Sequence, residues 1–232
     1  MIEDPPLLRI RRPSRRPTEA QIAAFRDVPT SFVVDAMFGA GAMSSAIRPI
    51  GESRDIDCRA VGPALSVDNG PGDVLATLAA PDVIQPGDIV VATCDGYQGC
   101  ASAGDRVMGM TRNSGAVGFV NDGPVRDYAG IVAVGLPVWC TGLTPASPFS
   151  SGPGRIGYPV QIAGQRVETG DMVIADFDGV VIVPFDQIDA VIYSLKKVTA
   201  QEITLDTEVA NGLKVPANIR DILASDRVRY ED

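Results

Sequence analysis

The chain has 232 residues, 45% of them apolar, and 29 acids against 20 bases give a net charge of −9. That length suits one domain with a substantial core, and the acidic balance argues against a broad nucleic-acid surface, which needs a basic face. The chain has no histidine, which excludes serine, cysteine or zinc hydrolases built around imidazole and leaves oxygen and sulfur as metal donors.

Residues 1–17 read as an arginine- and proline-rich arm, and residues 18–232 as a single α/β domain. The arm carries Arg9, Arg11, Arg12, Arg15 and Arg16 among Pro5, Pro6, Pro13 and Pro17. A solvated or subunit-clasping arm is one reading of it, and an anion-binding tail is the other. It lacks the apolar stretch of a secretory signal, and no apolar run nears the ~20 residues of a membrane helix. The expectation is a cytoplasmic protein with no membrane contact. Cys58, Cys94, Cys100 and Cys140 match no zinc spacing and are expected as reduced thiols; Cys94 and Cys100, flanking a Gly-rich turn, are the one pair that could serve as ligands.

Along the domain, Thr18-Glu19-Ala20-Gln21 predicts a capping box that opens a short helix through Phe25. A second short helix is expected over 32–38, stopped by Gly39. A strand follows over 61–67, then a helix over 74–80 with Asp73 as its cap, then the apolar strand 89–92 after the turn Pro86-Gly87-Asp88. That turn and strand recur: 86–96 and 169–179 share six of eleven positions, ending in Asp95-Gly96 and Asp178-Gly179. Two buried strands with similar entry turns explain the match as well as an internal duplication does. A helix over 106–114 and a strand over 116–120 come next, then a helix through Val134 and a strand over 136–140. Residues 144–157, rich in Pro, Ser and Gly, read as a loop. A hairpin turns at Ala163-Gly164 between 158–162 and 165–167. Core strands are expected over 172–175 and 180–183. Ile188, Val191, Ile192, Leu195 and Val198 then give helical spacing within 186–209. Alternating helices and strands followed by a β-rich portion predict an α/β fold with a mixed sheet.

The stretch from Gly104 to Asp127 carries the chemistry. Twenty residues separate Asp105 from the adjacent pair Arg126-Asp127. A helix followed by a buried strand returns the chain toward its start, so these side chains can meet in one pocket. Two carboxylates and a guanidinium can hold a divalent cation together with an anionic substrate, and oxygen donors favour Mg²⁺ or Mn²⁺. Gly104 offers close backbone approach, and free amides at a helix N-terminus attract anions.

The chain resembles the RraA-like family, which includes the class II 4-hydroxy-4-methyl-2-oxoglutarate / 4-carboxy-4-hydroxy-2-oxoadipate aldolases. The likeness rests on Asp105 with Arg126-Asp127, on Gly118 to Asp127 around that pair, and on the distal runs Val160 to Gly164, Thr169-Gly170-Asp171 and Asp176 to Pro184. It implies a mixed-sheet sandwich similar to the swivelling phosphohistidine domain, assembled as a homotrimer or hexamer with active sites between subunits. It implies that Asp127, with help from Asp105, anchors Mg²⁺ or Mn²⁺ through its waters. Arg126 would grip the carboxylate of a 2-oxo acid, joined by the backbone at Gly104, Arg106 and Val107. The implied reaction cleaves 4-hydroxy-2-oxo acids to pyruvate and a second oxo acid, and the same chemistry decarboxylates oxaloacetate. No Schiff-base lysine is needed, and Lys196, Lys197 and Lys214 fall away from the motif. Arg106 stands where many aldolases of the family carry an apolar residue, which bears on the choice of acid. The family also contains regulatory proteins that bind and inhibit a ribonuclease without catalysis, the alternative function here. A methyltransferase is disfavoured because no Gly-rich cofactor loop follows a first strand.

Other residues have structural readings beside functional ones. Arg126 and Asp127 could form an ion pair capping a helix, and Asp105 could be a first-turn acid favoured by the helix dipole. Asp122 lies in a turn signal and, with Asp176 and Asp178, reads as structural. Asp35 is divided between lining the site and its helix, and Tyr128 is a lesser candidate for a proton donor.

Overall fold

The computed structural model describes residues 6–231. In chain order it contains β1 (Leu8–Ile10), α1 (Glu19–Ala23), α2 (Thr30–Ala36), β2 (Arg48–Pro49), β3 (Ala60–Asp68), α3 (Leu75–Ala79), β4 (Ile89–Thr93), α4 (Asp105–Asn113) and β5 (Gly118–Asn121). Then come α5 (Tyr128–Val134), β6 (Val138–Cys140), β7 (Gly154–Ile156), β8 (Val160–Ile162), β9 (Gln165–Val167), β10 (Met172–Ala175), β11 (Val180–Val183), α6 (Ile188–Ala210) and α7 (Ala217–Leu223).

Nine of these strands form one mixed sheet in the order β1-β7-β3-β4-β5-β6-β2, with β10 and β11 branching from β3. Four strands, β3 to β6, run parallel, and the crossover helices α4 and α5 link β4 to β5 and β5 to β6. β3 serves three ladders: its first half pairs antiparallel with β10, its second half pairs parallel with β4, and Val67 and Asp68 at its end pair antiparallel with β7 on the other side. The larger core packs Phe119, Trp139, Met108 and Ile131 against the parallel strands. A second core places Ile22, Val33, Val191 and Leu195 of α1, α2 and α6, with Phe25 just after α1, against Ile174 and Val183. This is the mixed α/β fold expected from the sequence.

Local signals account for most elements. Thr18 and Gln21 form both bonds of the capping box at α1. Asp73, two residues before α3 begins, accepts from the amide of Leu75, the first helical residue, at 2.8 Å. The hairpin turns through Ala163 (φ 48°) and Gly164 (φ 85°), both left-handed, as a two-residue loop requires. Thr30, at the start of α2, donates through its amide and hydroxyl to the Asp176 carboxylate.

Two expectations change. The segment 144–157 is not all loop, because β7 lies within it and bridges β1 and β3. A three-residue strand opening on glycine has no periodicity to read, and only its neighbours define it. The arm, whose residues 1–5 lie outside the described residues, is stitched to its own domain over 8–16. β1 pairs with β7, Arg15 bridges Glu168 and Asp171, and Arg16 bridges Asp88. Arg11 stacks over the Tyr158 ring at 4.3 Å. Consecutive arginines thus clamp the aspartates of the two related turns, Pro86-Gly87-Asp88 and Thr169-Gly170-Asp171. No described helix is long and apolar enough to cross a membrane.

Candidate active site

The carboxyl ends of β4 and β5 open into two loops, each leading into the first turn of a crossover helix. Asp105 is the first residue of α4, behind Gly104, whose backbone is extended (φ −143°, ψ −173°). Asp127 caps α5 in the left-handed region (φ 64°, ψ 46°), yet its side chain makes no capping hydrogen bond. The carboxylate is therefore not spent on the helix. Aspartate tolerates this conformation better than most residues, and such strain concentrates at functional sites.

The two glycines opposite these acids fix where they lie. A Cβ on Gly104 would strike Asp127 Oδ2, and a Cβ on Gly130 would strike Asp105 Oδ2. Each carboxylate thus rests on a glycine belonging to the other helix's loop or first turn. Arg126 completes the set: its Nε lies 3.3 Å from Asp127 Oδ2, and its amide donates to Ala103 O at 3.0 Å. The Arg126 and Asp127 side chains are 39% and 44% exposed, so both face solvent-accessible space. The fold brings Asp105, Arg126 and Asp127 together, as the spacing predicted.

The missing side chain of Gly104 makes room for Asp127. The Arg106 amide is taken, donating to Asp105 Oδ1 at 2.7 Å. The Val107 amide has no acceptor among the described residues. Arg106 itself is exposed, in the first turn of α4.

The donor set fits a hydrated hard cation. Asp127 Oδ2 is paired only with Arg126, and Asp105 Oδ2 accepts no hydrogen bond, among the described residues. No group of three acids or thiols gathers around one point among those residues. Two carboxylates with open lone pairs match the way Mg²⁺ is held, through one or two acids and several waters.

The neighbouring candidates resolve into structure. Asp122 is buried and accepts from Thr93 Oγ1 and the Cys94 amide, both at 2.7 Å, and from the Gly96 amide at 3.1 Å. It ties the two site loops together. Asp176 holds the first turn of α2, and Asp178 only donates its amide to Asp176. Tyr128 donates its hydroxyl to Asp55 Oδ2 at 2.6 Å, and that bond above all pushes its pKa up. It is no proton donor for the acid pair. Asp35 lines a groove between α2 and α6 with Phe38, Tyr193 and Lys197, away from the elements that carry the acids. All four cysteines are free and buried. Burial, with Asp122 beside it, pushes the Cys94 thiol up to about 12, and burial pushes Cys140 up to about 11. Such thiols stay protonated and are poor ligands.

Sequence reasoning missed Gly130. Its signal was there, an isolated glycine inside a helix, which usually has a packing or functional reason. Gly130→Ala is expected to lower turnover by about tenfold to a hundredfold through displacement of Asp105. The thermal midpoint should fall as well: the new Cβ would meet Asp105 Cβ at 2.6 Å, an atom fixed to the α4 backbone, and that clash outweighs the helix preference of alanine over glycine of about 1 kcal/mol. Steady-state rates alongside a circular-dichroism melt check both halves.

Residues 30–182 match the model of the RraA-like family, described as Aldolase/RraA. A protein of Halalkalibacterium halodurans, which carries the provisional name 4-hydroxy-4-methyl-2-oxoglutarate aldolase, is 34% identical over 192 residues, covering 83% of this chain and 90% of that one. The crystal structure of Streptomyces coelicolor RraAS2, described as an unusual member of the RNase ES inhibitor RraA family, superposes with a TM-score of 0.73 at 25% identity, covering 83% of this chain and all of that one. An uncharacterised protein of Pseudomonas syringae shares the fold, with a TM-score of 0.75 at 21% identity over 86% of this chain and 92% of its own. The chain belongs to the RraA-like family.

Proposed function

We propose that the protein is a divalent-metal-dependent carbon–carbon lyase that cleaves 4-hydroxy-2-oxo acids to pyruvate and a second oxo acid, and that it also decarboxylates oxaloacetate. The observation that carries this reading is the reciprocal seating of Asp105 and Asp127 on Gly130 and Gly104, with the Arg126 guanidinium beside them. The aldolase name carried by the Halalkalibacterium relative supports the same reaction class.

Arg126 holds the carboxylate next to the keto group, using the part of its planar fork not turned to Asp127. The free Val107 amide, at the positive end of α4, adds a second contact to that anion. Asp127 and Asp105 would hold Mg²⁺ or Mn²⁺, which when bound supplies a Lewis acid to the 2-oxo group. Asp105 Oδ2, free of other bonds, orients the water that takes the proton from the C4 hydroxyl. The C3–C4 bond then breaks, C4 becomes a carbonyl, and protonation of C3 completes pyruvate. Oxaloacetate fits the same arrangement, with CO₂ leaving in place of the second oxo acid. The absence of histidine is no obstacle, because carboxylates and water move the proton.

Likeness to the Streptomyces protein favours a second reading, a regulatory protein that binds and inhibits a ribonuclease without catalysis. One pair of assays separates them. Pyruvate release from oxaloacetate and 4-hydroxy-4-methyl-2-oxoglutarate should require Mg²⁺ or Mn²⁺ and fall to background with EDTA. Metal-independent, stoichiometric inhibition of a ribonuclease, with no pyruvate formed, would replace the lyase reading by the regulatory one.

A further inference from the structure

Arg126 is held from two sides. Besides the contact of its Nε with Asp127, its Nη1 donates to Ser147 Oγ at 2.7 Å. Ser147 stands twenty-one residues downstream, between β6 and β7. That segment is a strap bonded across the loops at the carboxyl edge of the sheet. Toward its start, the Val125 amide donates to Gly142 O at 2.9 Å, Thr144 to Val125 O at 3.0 Å, and Ala101 to Ala146 O at 3.0 Å. Toward its end, Phe149 donates to Gly72 O at 2.8 Å and Val74 to Phe149 O at 2.9 Å. The buried Asp73 carboxylate then takes the Ser151 and Gly152 amides at 2.7 and 3.0 Å. Pro145 and Pro148 fix φ within the strap, and Pro148 confines Ser147 to extended backbone.

The serine is therefore a short side chain on a restrained backbone, facing a long and partly exposed one. Arginine has many rotamers, and an ion pair to an equally exposed Asp127 is a weak restraint. A hydroxyl at this place restrains the guanidinium without cancelling its charge. A carboxylate there would compete with the substrate's own. Nη2 has no partner among the described residues and stays free for an incoming anion.

We propose that Ser147 is the positioning residue for Arg126, presetting the guanidinium to receive the carboxylate of the 2-oxo acid. The inference rests on the lyase reading for its substrate, while the Ser147–Arg126 contact can be tested without it.

Ser147→Ala, Ser147→Val and Ser147→Thr separate the hydroxyl from the bulk. Alanine and valine should raise KM for the 2-oxo acid roughly threefold to fivefold, less than a buried hydrogen bond to a charged group would give because the contact is exposed, with kcat within about a factor of two. Threonine should restore KM, and all three should melt with the parent. The ¹⁵N spectrum reads the contact itself. The Arg126 Nε–H signal, assigned by its loss in Arg126→Lys, should be resolved in the parent and Ser147→Thr and broadened in the other two. Valine behaving like threonine, or alanine leaving both KM and the Nε–H signal unchanged, overturns the assignment. A parent protein that releases no pyruvate defeats the lyase reading instead, and the Nε–H signals then decide the role of Ser147 alone.

Discussion

Asp127→Ala is expected to lower metal-dependent pyruvate release by at least about a hundredfold to a thousandfold, the scale seen when one preorganised charge-stabilising group is removed. Asp127 contributes a carboxylate with open lone pairs, a contact to Arg126 Nε at 3.3 Å, and the left-handed residue that turns the chain into α5. Asp127→Asn isolates the first of these, because asparagine keeps the shape and tolerates the same φ. It should lose nearly as much activity as the alanine variant and should fold as well as the parent. Arg126→Ala should differ in kind, raising KM for every accepted 2-oxo acid as well as lowering turnover. A coupled pyruvate assay over a range of substrate and Mg²⁺ concentrations measures all three. Near-parental activity in Asp127→Asn would remove the charge of Asp127 from the mechanism.

The second large effect is on stability and lies at the arm. Asp88 is only 3% exposed at its side chain and is bridged by Arg16, which also donates to Pro86 O at 2.6 Å. Removing one partner of a buried pair strands the other, typically for 3–5 kcal/mol; with Arg16 30% exposed, a loss of about 2–3 kcal/mol is the discounted expectation. For a chain of this length that is a drop of roughly 5–10 °C in thermal midpoint. Burial pushes the Asp88 pKa up, while the Gln85 amide and Arg16 pull it down. A carboxyl with a raised folded pKa holds its proton longer when folded, so its contribution is fully present below the unfolded pKa and is lost as pH rises through the folded pKa. Without Arg16 the folded pKa climbs further. The deficit of Arg16→Ala against the parent should therefore be largest near about pH 7 and shrink toward about pH 5. Paired melts at the two pH values check the sign, and a deficit that grows on acidification would contradict it. Arg15→Ala should cost less, because the Asp171 carboxylate also accepts the Glu168 and Phe185 amides at 2.8 and 3.0 Å.

Much of this was legible in the residues. The parallel strands announced themselves as apolar runs behind turn signals, because strands covered on both faces need no polar side. The convergence of Asp105 with Arg126 and Asp127 was legible too, since a strand–helix–strand unit brings successive loops to the same edge of a sheet. The match between 86–96 and 169–179 was visible, but not its outcome: β4 runs parallel and β10 antiparallel to β3, and both turns are gripped by the arm. β1, β2 and β7, of two or three residues each, carry no pattern of their own and exist only through pairing.

By itself the sequence determined the class of the fold, the chemistry available without histidine, and which acids and arginine would share an edge. These follow from periodicity, composition and chain direction, all local properties. The tertiary structure alone decided that Gly104 and Gly130 cradle the carboxylates, that Asp105 occupies the Arg106 amide, that Tyr128 turns to Asp55, and that Ser147 reaches Arg126. Apart from the Asp105–Arg106 bond, which is local to one helical turn, each is a contact between segments whose relative placement is set by packing helices onto a twisted sheet. Spacing along the chain does not encode that placement.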